Sequence, residues 1–289
     1  MKHTLAVEAA TLGYDDRVVV QDMTLEIPQG RITTIVGANA CGKSTLLRAM
    51  ARLLRPSAGR VLLDGTPIDD LPSREVATIL GLLPQTPISP EGIAVADLVG
   101  RGRYPHQGWF RRWTAEDDAA VEEALRTTDT LDLADRPVDE LSGGQRQRVW
   151  IAMALAQQTD VLLLDEPTTF LDVAHQVEVL DLLTDLNRRR GTTVVMVLHD
   201  LNLAARYADH LVAIRAGHLY AQGTPAEVVT ELMVEDVFGM TSRVITDPVS
   251  STPLVLPVGR HHSGTATTGR AADDERAAPE APLPADALR

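Results

Sequence analysis

The 289 residues include 27 Lys and Arg against 40 Asp and Glu, a formal net charge of −13. That length suits one large domain, or a core with a subdomain, with a sizeable interior, and the acidic balance argues against a basic nucleic-acid-binding surface. The lone cysteine, Cys41, excludes an internal disulfide and makes a reducing compartment the default, while no apolar run approaches the ~18–20 residues of a membrane span.

At the start of the chain Glu8 interrupts the apolar run, so no signal-peptide core is expected. The chain is expected to be soluble and cytoplasmic on its own and to meet a membrane only through partners. Thr4 to Ile27 reads as short β segments around a turn at Gly13-Tyr14-Asp15-Asp16, and Arg31 to Val36 as a strand rich in β-branched residues. Leu46, Leu47, Met50, Leu53 and Leu54 recur at helical spacing until Pro56 closes the helix. Arg60 to Asp64 is a short strand, and Ile79 to Pro84 leads into Gln85.

From about 86 to 159 the pattern turns helical, with a capping box at Thr114 and Asp117 and a loop over Gly102–Trp113. Strand Val161–Leu164, helix Val173–Arg190, strand Thr192–Leu198 and strand Leu211–Arg215 follow, and Arg243 to Val258 suggests a final strand pair. Such alternation implies a mainly parallel sheet covered on both faces. From Gly259 onward, over 259–289, the chain is Ala, Pro, Thr and charge, the composition of a disordered tail.

Gly37-Ala38-Asn39-Ala40-Cys41-Gly42-Lys43-Ser44-Thr45 fits a phosphate loop, with the required strand before it and helix after it. Glycines let backbone N–H groups turn towards phosphates, and the helix N-terminus adds only ~0.3–2 kcal/mol. Lys43 is therefore expected to neutralise the β/γ oxygens of ATP, and Ser44 to ligate Mg²⁺. Ala40 stands where glycine is common, and is small enough to be tolerated. Asp165 and Glu166 end the apolar run Val161–Leu164; two carboxylates are costly in a core but tolerable at a sheet's C-terminal edge. Asp165 is read as a Mg²⁺ holder through water and Glu166 as the base for the attacking water. Ser142-Gly143-Gly144 opens a helix and so makes a second anion cradle, one more than a single nucleotide site requires. Cys41 reads first as a tolerated loop residue, and its place at a helix N-terminus is a second reading, one that would lower its thiol pKa.

Leu141-Ser142-Gly143-Gly144-Gln145, between the phosphate loop and Leu164-Asp165-Glu166, resembles the ATP-binding cassette family, over about residues 4 to 240. The resemblance implies an α/β fold: a phosphate-loop, RecA-like, mainly parallel sheet with N-terminal antiparallel β segments and a helical subdomain inserted at about 86–159, the whole domain spanning 1–258. It also implies that Tyr14 stacks on adenine, that Gln85 links Mg²⁺ to the helical insert, and that Asp172 belongs to the nucleotide site. His199 would contact the γ-phosphate. Two cassettes would pack head to tail, each signature loop covering the partner's nucleotide, on integral membrane permease subunits at the cytoplasmic face and, indirectly, with an extracellular substrate-binding protein. No nucleic-acid partner is implied.

Arg101-Gly102-Arg103-Tyr104-Pro105-His106, Trp150 and Thr169-Phe170-Leu171-Asp172 are most similar to the ferric-siderophore importer ATPases. Cobalamin or haem importers, an exporter cassette and a non-transport cassette ATPase stand as alternatives. The chain has neither the long coiled-coil insertion nor the fused second cassette usual in the last group, and a phosphate-loop kinase would leave Ser142-Gly143-Gly144 unexplained.

Overall fold

The computed structural model describes residues 3–107, 113–169 and 171–259. Strands β1 (Leu5–Tyr14) and β2 (Arg17–Ile27) pair antiparallel, longer than the short segments expected. Their pairing register shifts around Ala9 and Asp22, whose φ values of 45° and 49° mark the irregularities that let the strands continue. Leu5, Val7, Leu12, Met23 and Leu25 are buried, as in an antiparallel sheet covered on one face.

Next come β3 (Ile32–Gly37) and α1 (Lys43–Met50). The helix stops short of Pro56: Arg52 adopts φ 59°, and Leu53 is exposed rather than packed. Strands β4 (Ala58–Leu63) and β5 (Thr66–Pro67) complete a four-stranded sheet in the order β2-β1-β4-β5. Helix α2 (Ser73–Ile79), not foreseen from the sequence, leads into β6 (Leu80–Leu83).

Between β6 and the next strand lie α3 (Val95–Gly100), a 3-10 helix over Arg101–His106, α4 (Ala115–Thr127) and α5 (Gly143–Ala156). The 3-10 helix occupies part of the expected loop. Gly102 there lies so close to the Met153 carbonyl oxygen that a β carbon would come within 2.3 Å of it. Arg103 is buried, donating to Asp117 Oδ1 at 3.0 Å and to the Ala156 carbonyl at 2.8 Å. The Thr114–Asp117 capping box forms as expected.

The chain continues through β7 (Val161–Asp165), α6 (Val173–Arg190), β8 (Thr193–Val197), α7 (Leu201–Tyr207), β9 (His210–Arg215) and β10 (His218–Gly223). It ends with α8 (Pro225–Val228), α9 (Glu231–Phe238) and the hairpin β11 (Ser242–Thr246) and β12 (Pro253–Pro257). The second sheet has the order β10-β9-β3-β8-β7-β6, parallel except for β10 at its edge. Successive strand residues face opposite layers. Ile35, Leu163 and Val197 pack with Leu46 and Met50 of α1, whereas Val36, Leu164 and Met196 pack with Val149, Leu180 and Leu183 of α5 and α6. No helix among the described residues is long and apolar enough to cross a membrane. The expected tail lies, beyond Gly259, outside the described residues.

Candidate functional site

Strands β6, β7 and β8 are neighbours, so the chain leaves them at one edge of the sheet, where α/β proteins place ligands. Gln85 follows β6, Asp165 and Glu166 end β7, and His199 follows β8. The phosphate loop leaves β3 at the same edge. Gly42 caps α1 with φ 108°, and a β carbon there would lie 2.6 Å from Val20 Cγ2, so both backbone and space require glycine.

The Lys43 side chain is buried and folds back over the loop, donating to the Gly37 and Ala38 carbonyls at 2.9 and 3.0 Å. Ser44 donates to Asp165 Oδ1 at 2.8 Å. Burial pushes the Asp165 carboxyl up, helped by the Glu166 charge, and the Ser44 hydrogen bond, Arg48 and Lys43 offset it only in part. A buried carboxylate short of positive charge, with a hydroxyl beside it, offers the oxygen donors that a small hard cation takes. Among the described residues no three His, Cys, Asp or Glu side chains gather into a metal cage.

Glu166 is only 8% exposed and has φ 55°, an uncommon conformation for a non-glycine residue. Three groups hold its carboxylate: Gln85 Nε2 at 2.5 Å and Thr169 Oγ1 at 3.0 Å on Oε2, and His199 Nε2 at 2.6 Å on Oε1. The carboxylate is thereby aimed into a cleft of about 1010 Å³.

Tyr14, Asn39, Ala40, Gly42, Lys43, Ser44, Thr45, Gln85, Glu166 and His199 line that cleft together. Tyr14 is half exposed at its rim, its hydroxyl accepting from Arg48 Nη1 at 3.1 Å. Gly37, Ala38 and Cys41 contribute to the loop behind it. Cys41 is buried, and burial pushes its thiol up against the pull of Lys43. This corrects the lowering expected from its place at a helix N-terminus: lost hydration outweighs the nearby charge.

Ser142, Gly143, Gly144 and Asp172 do not line the cleft. Ser142 caps α5 in a reciprocal pair with Gln145, and Asp172 caps α6 through the His175 N–H. Asp15, Asp16, Arg17 and Val19 line the cleft without having been singled out, and neither was Thr169. For the first four the signal was available, since they continue the turn that carries Tyr14.

A family profile described as ABC transporter matches residues 20–169. The chain is 56% identical over 256 residues to the probable siderophore transport system ATP-binding protein YusV of Bacillus subtilis (strain 168), covering 89% of this chain and 93% of that protein. It is 53% identical over 261 residues to the ferric enterobactin transport ATP-binding protein FepC of Escherichia coli (strain K12), covering 90% and 96%. The dimeric structure of MJ0796, a bacterial ABC transporter cassette, superposes with a TM-score of 0.68 at 27% identity, covering 76% of this chain and 98% of that one. A phosphate loop and paired carboxylates converging on one cleft, in a chain this similar to transport ATP-binding proteins, place it in the ABC transporter family as an ATP-binding subunit.

Proposed function

We propose that this chain hydrolyses ATP in the cleft above β3 and β7 and so energises a membrane importer of ferric siderophore complexes. The observation that carries the chemistry is the buried Glu166 carboxylate, held by three donors and aimed at the space beside Lys43 and Ser44. The cargo reading rests on the relatives, whose names include siderophore and ferric enterobactin transport.

Tyr14 stacks against the adenine at the rim. Lys43 exchanges the Gly37 and Ala38 carbonyls for the β/γ-phosphate oxygens, aided by the backbone N–H groups of residues 38–45. Glu166 accepts a proton from the attacking water, a role contributing typically ~10²–10⁴-fold. Gln85, Thr169 and His199 fix its direction, and His199 reaches towards the γ-phosphate. Ser44, Asp165 and Gln85 would hold Mg²⁺, which supplies charge neutralisation at the phosphates.

Ser142-Gly143-Gly144 and Asp172 act on the nucleotide of a second copy packed head to tail, which accounts for the surplus cradle. The dimer works at the cytoplasmic face on permease subunits, through Gln85 and the helices of 86–159, and an extracellular binding protein presents the cargo. The test is uptake of a radioiron-labelled siderophore by a deletion strain. Uptake should be lost with external binding intact, and restored by the wild-type chain but by neither Lys43→Ala nor Glu166→Gln. Normal siderophore uptake with a defect for cobalamin or haem would reassign the cargo.

A further inference from the structure

The residues that do not line the cleft are tied to one another within the chain by a contact that nucleotide binding in cis does not require. His175, in the first turn of α6, lies against the first turn of α5. A methyl group built on Gly144 would come 3.2 Å from His175 Cδ2 and 3.5 Å from Nε2. The opposite side of the ring is fixed as well. Nδ1 lies 2.7 Å from Asp172 Oδ1, the same oxygen that accepts the His175 backbone N–H at 3.0 Å. Those two bonds hold the Asp172 carboxyl below the usual carboxylate range.

A helix cap explains only half of this. The backbone N–H bond to Asp172 caps α6 whatever side chain stands at 175. The imidazole adds a charge-assisted bond and a body that fills the space Gly144 leaves. Two further bridges run alongside. Gln147 Nε2 donates to the Pro167 carbonyl at 2.7 Å, next to Glu166, and Arg148 pairs with Glu178 at 3.2 Å. Residues 144, 147 and 148 share one face of α5, and 175 and 178 share one face of α6. The start of the signature helix is thus strapped to the segment that follows the strand-end carboxylates of its own chain.

We infer that His175 is a positioning residue for ATP-driven pairing of two copies: its ring sets the Ser142-Gly143-Gly144 cradle against Asp172, so that both meet a partner's nucleotide together. This rests on the head-to-tail reading above. Removing the ring should loosen the cradle without touching the cleft around Lys43 and Glu166.

The test is the specific ATPase activity of the purified full chain, measured at saturating MgATP as a function of protein concentration, together with nucleotide binding by the dilute chain. In His175→Ala the protein concentration giving half-maximal activity should rise roughly tenfold, the scale of one lost charge-assisted hydrogen bond. The plateau should stay within about twofold of wild type, because the hydrolytic groups are untouched. Binding by the dilute chain should not change. In His175→Asn the amide can take the Nδ1 position towards Asp172, and the shift should be smaller than in His175→Ala. An unchanged half-maximal concentration in His175→Ala would overturn the inference while leaving the ATPase reading intact, as would a lowered plateau with no such shift. A wild-type chain without ATPase activity in the same assay would overturn both.

Discussion

Glu166 and His199 meet at 2.6 Å, Nε2 to Oε1, although 32 positions and a full helix separate them in the chain. Gln85 holds the other carboxylate oxygen at 2.5 Å. The three residues follow neighbouring parallel strands, so the sheet order alone gathers them, and each restricts the rotation of the next. In the role proposed above for Glu166, a base fixed in this way does not have to be ordered again at each turnover.

Replacing Glu166 with Gln keeps the size and hydrogen-bonding capacity of the side chain but removes the carboxylate proposed above as the proton acceptor. Turnover should fall at least ~10²-fold while MgATP binding persists, and a stable ATP-bound dimer should accumulate on size-exclusion chromatography. Wild-type turnover in this variant would dismiss Glu166 as the base.

Lys43→Ala should weaken nucleotide binding itself, measured by calorimetry, because it removes the buried ammonium that lies over the loop. Mixed with Ser142→Arg, it should regain part of the activity that both parents lack. Such a mixed dimer holds one composite site with an intact Lys43 and an intact signature loop. Absence of recovery when mixed dimers are shown to form would count against cradles acting on a partner.

Cys41 should resist alkylation. Its thiol is buried behind Gly37, and burial raises its pKa, so at neutral pH both access and thiolate fraction are low. Labelling by iodoacetamide should be slow in the native chain, fast after denaturation, and nearly indifferent to MgATP. Rapid native labelling suppressed by MgATP would contradict this placement.

Arg103→Ala should destabilise the chain by about 3–5 kcal/mol, read as a fall in the denaturant midpoint, because it strands the buried Asp117 carboxylate. Burial pushes that carboxyl up, but hydrogen bonds from Arg103 and Thr114 outweigh it and hold it low. A carboxyl lower in the folded than in the unfolded state adds stability above its unfolded pKa of about 3.9, and that stability is lost as pH falls through the folded value. In Arg103→Ala the opposing guanidinium is gone, so this acid-side loss should shrink. Arg103→Ala with Asp117→Asn should recover part of the stability, and a double variant as unstable as the single one would argue against the pair.

Local signals made the loop, the strand-end carboxylates and the signature helix readable, because each motif sits within about ten residues and carries its own secondary-structure context. Capping at Thr114 was legible in the same way, whereas Ser142, expected as an anion cradle, also closes a capping box with Gln145. What escaped depends on partners far along the chain. Arg103 reads as a loop arginine until Asp117 and the Ala156 carbonyl surround it. Strand β10, His218-Leu219-Tyr220-Ala221-Gln222-Gly223, lacks a clear alternation and exists by pairing with β9. Cys41 was misjudged because a helix start is visible in sequence and desolvation is not.

The central position of β3 also bears on how the site comes into being during synthesis. Ile32 pairs with Val194 and Gly37 with Ile214, so the strand that carries the phosphate loop finds both neighbours only after most of the cassette has been translated. Contacts so distant close late. A nascent or truncated chain ending before β8 has the whole loop sequence but neither of the strands that flank β3. On the function proposed above, nucleotide capture waits for β8 and β9, by which point the carboxylates and the signature helix have already been made.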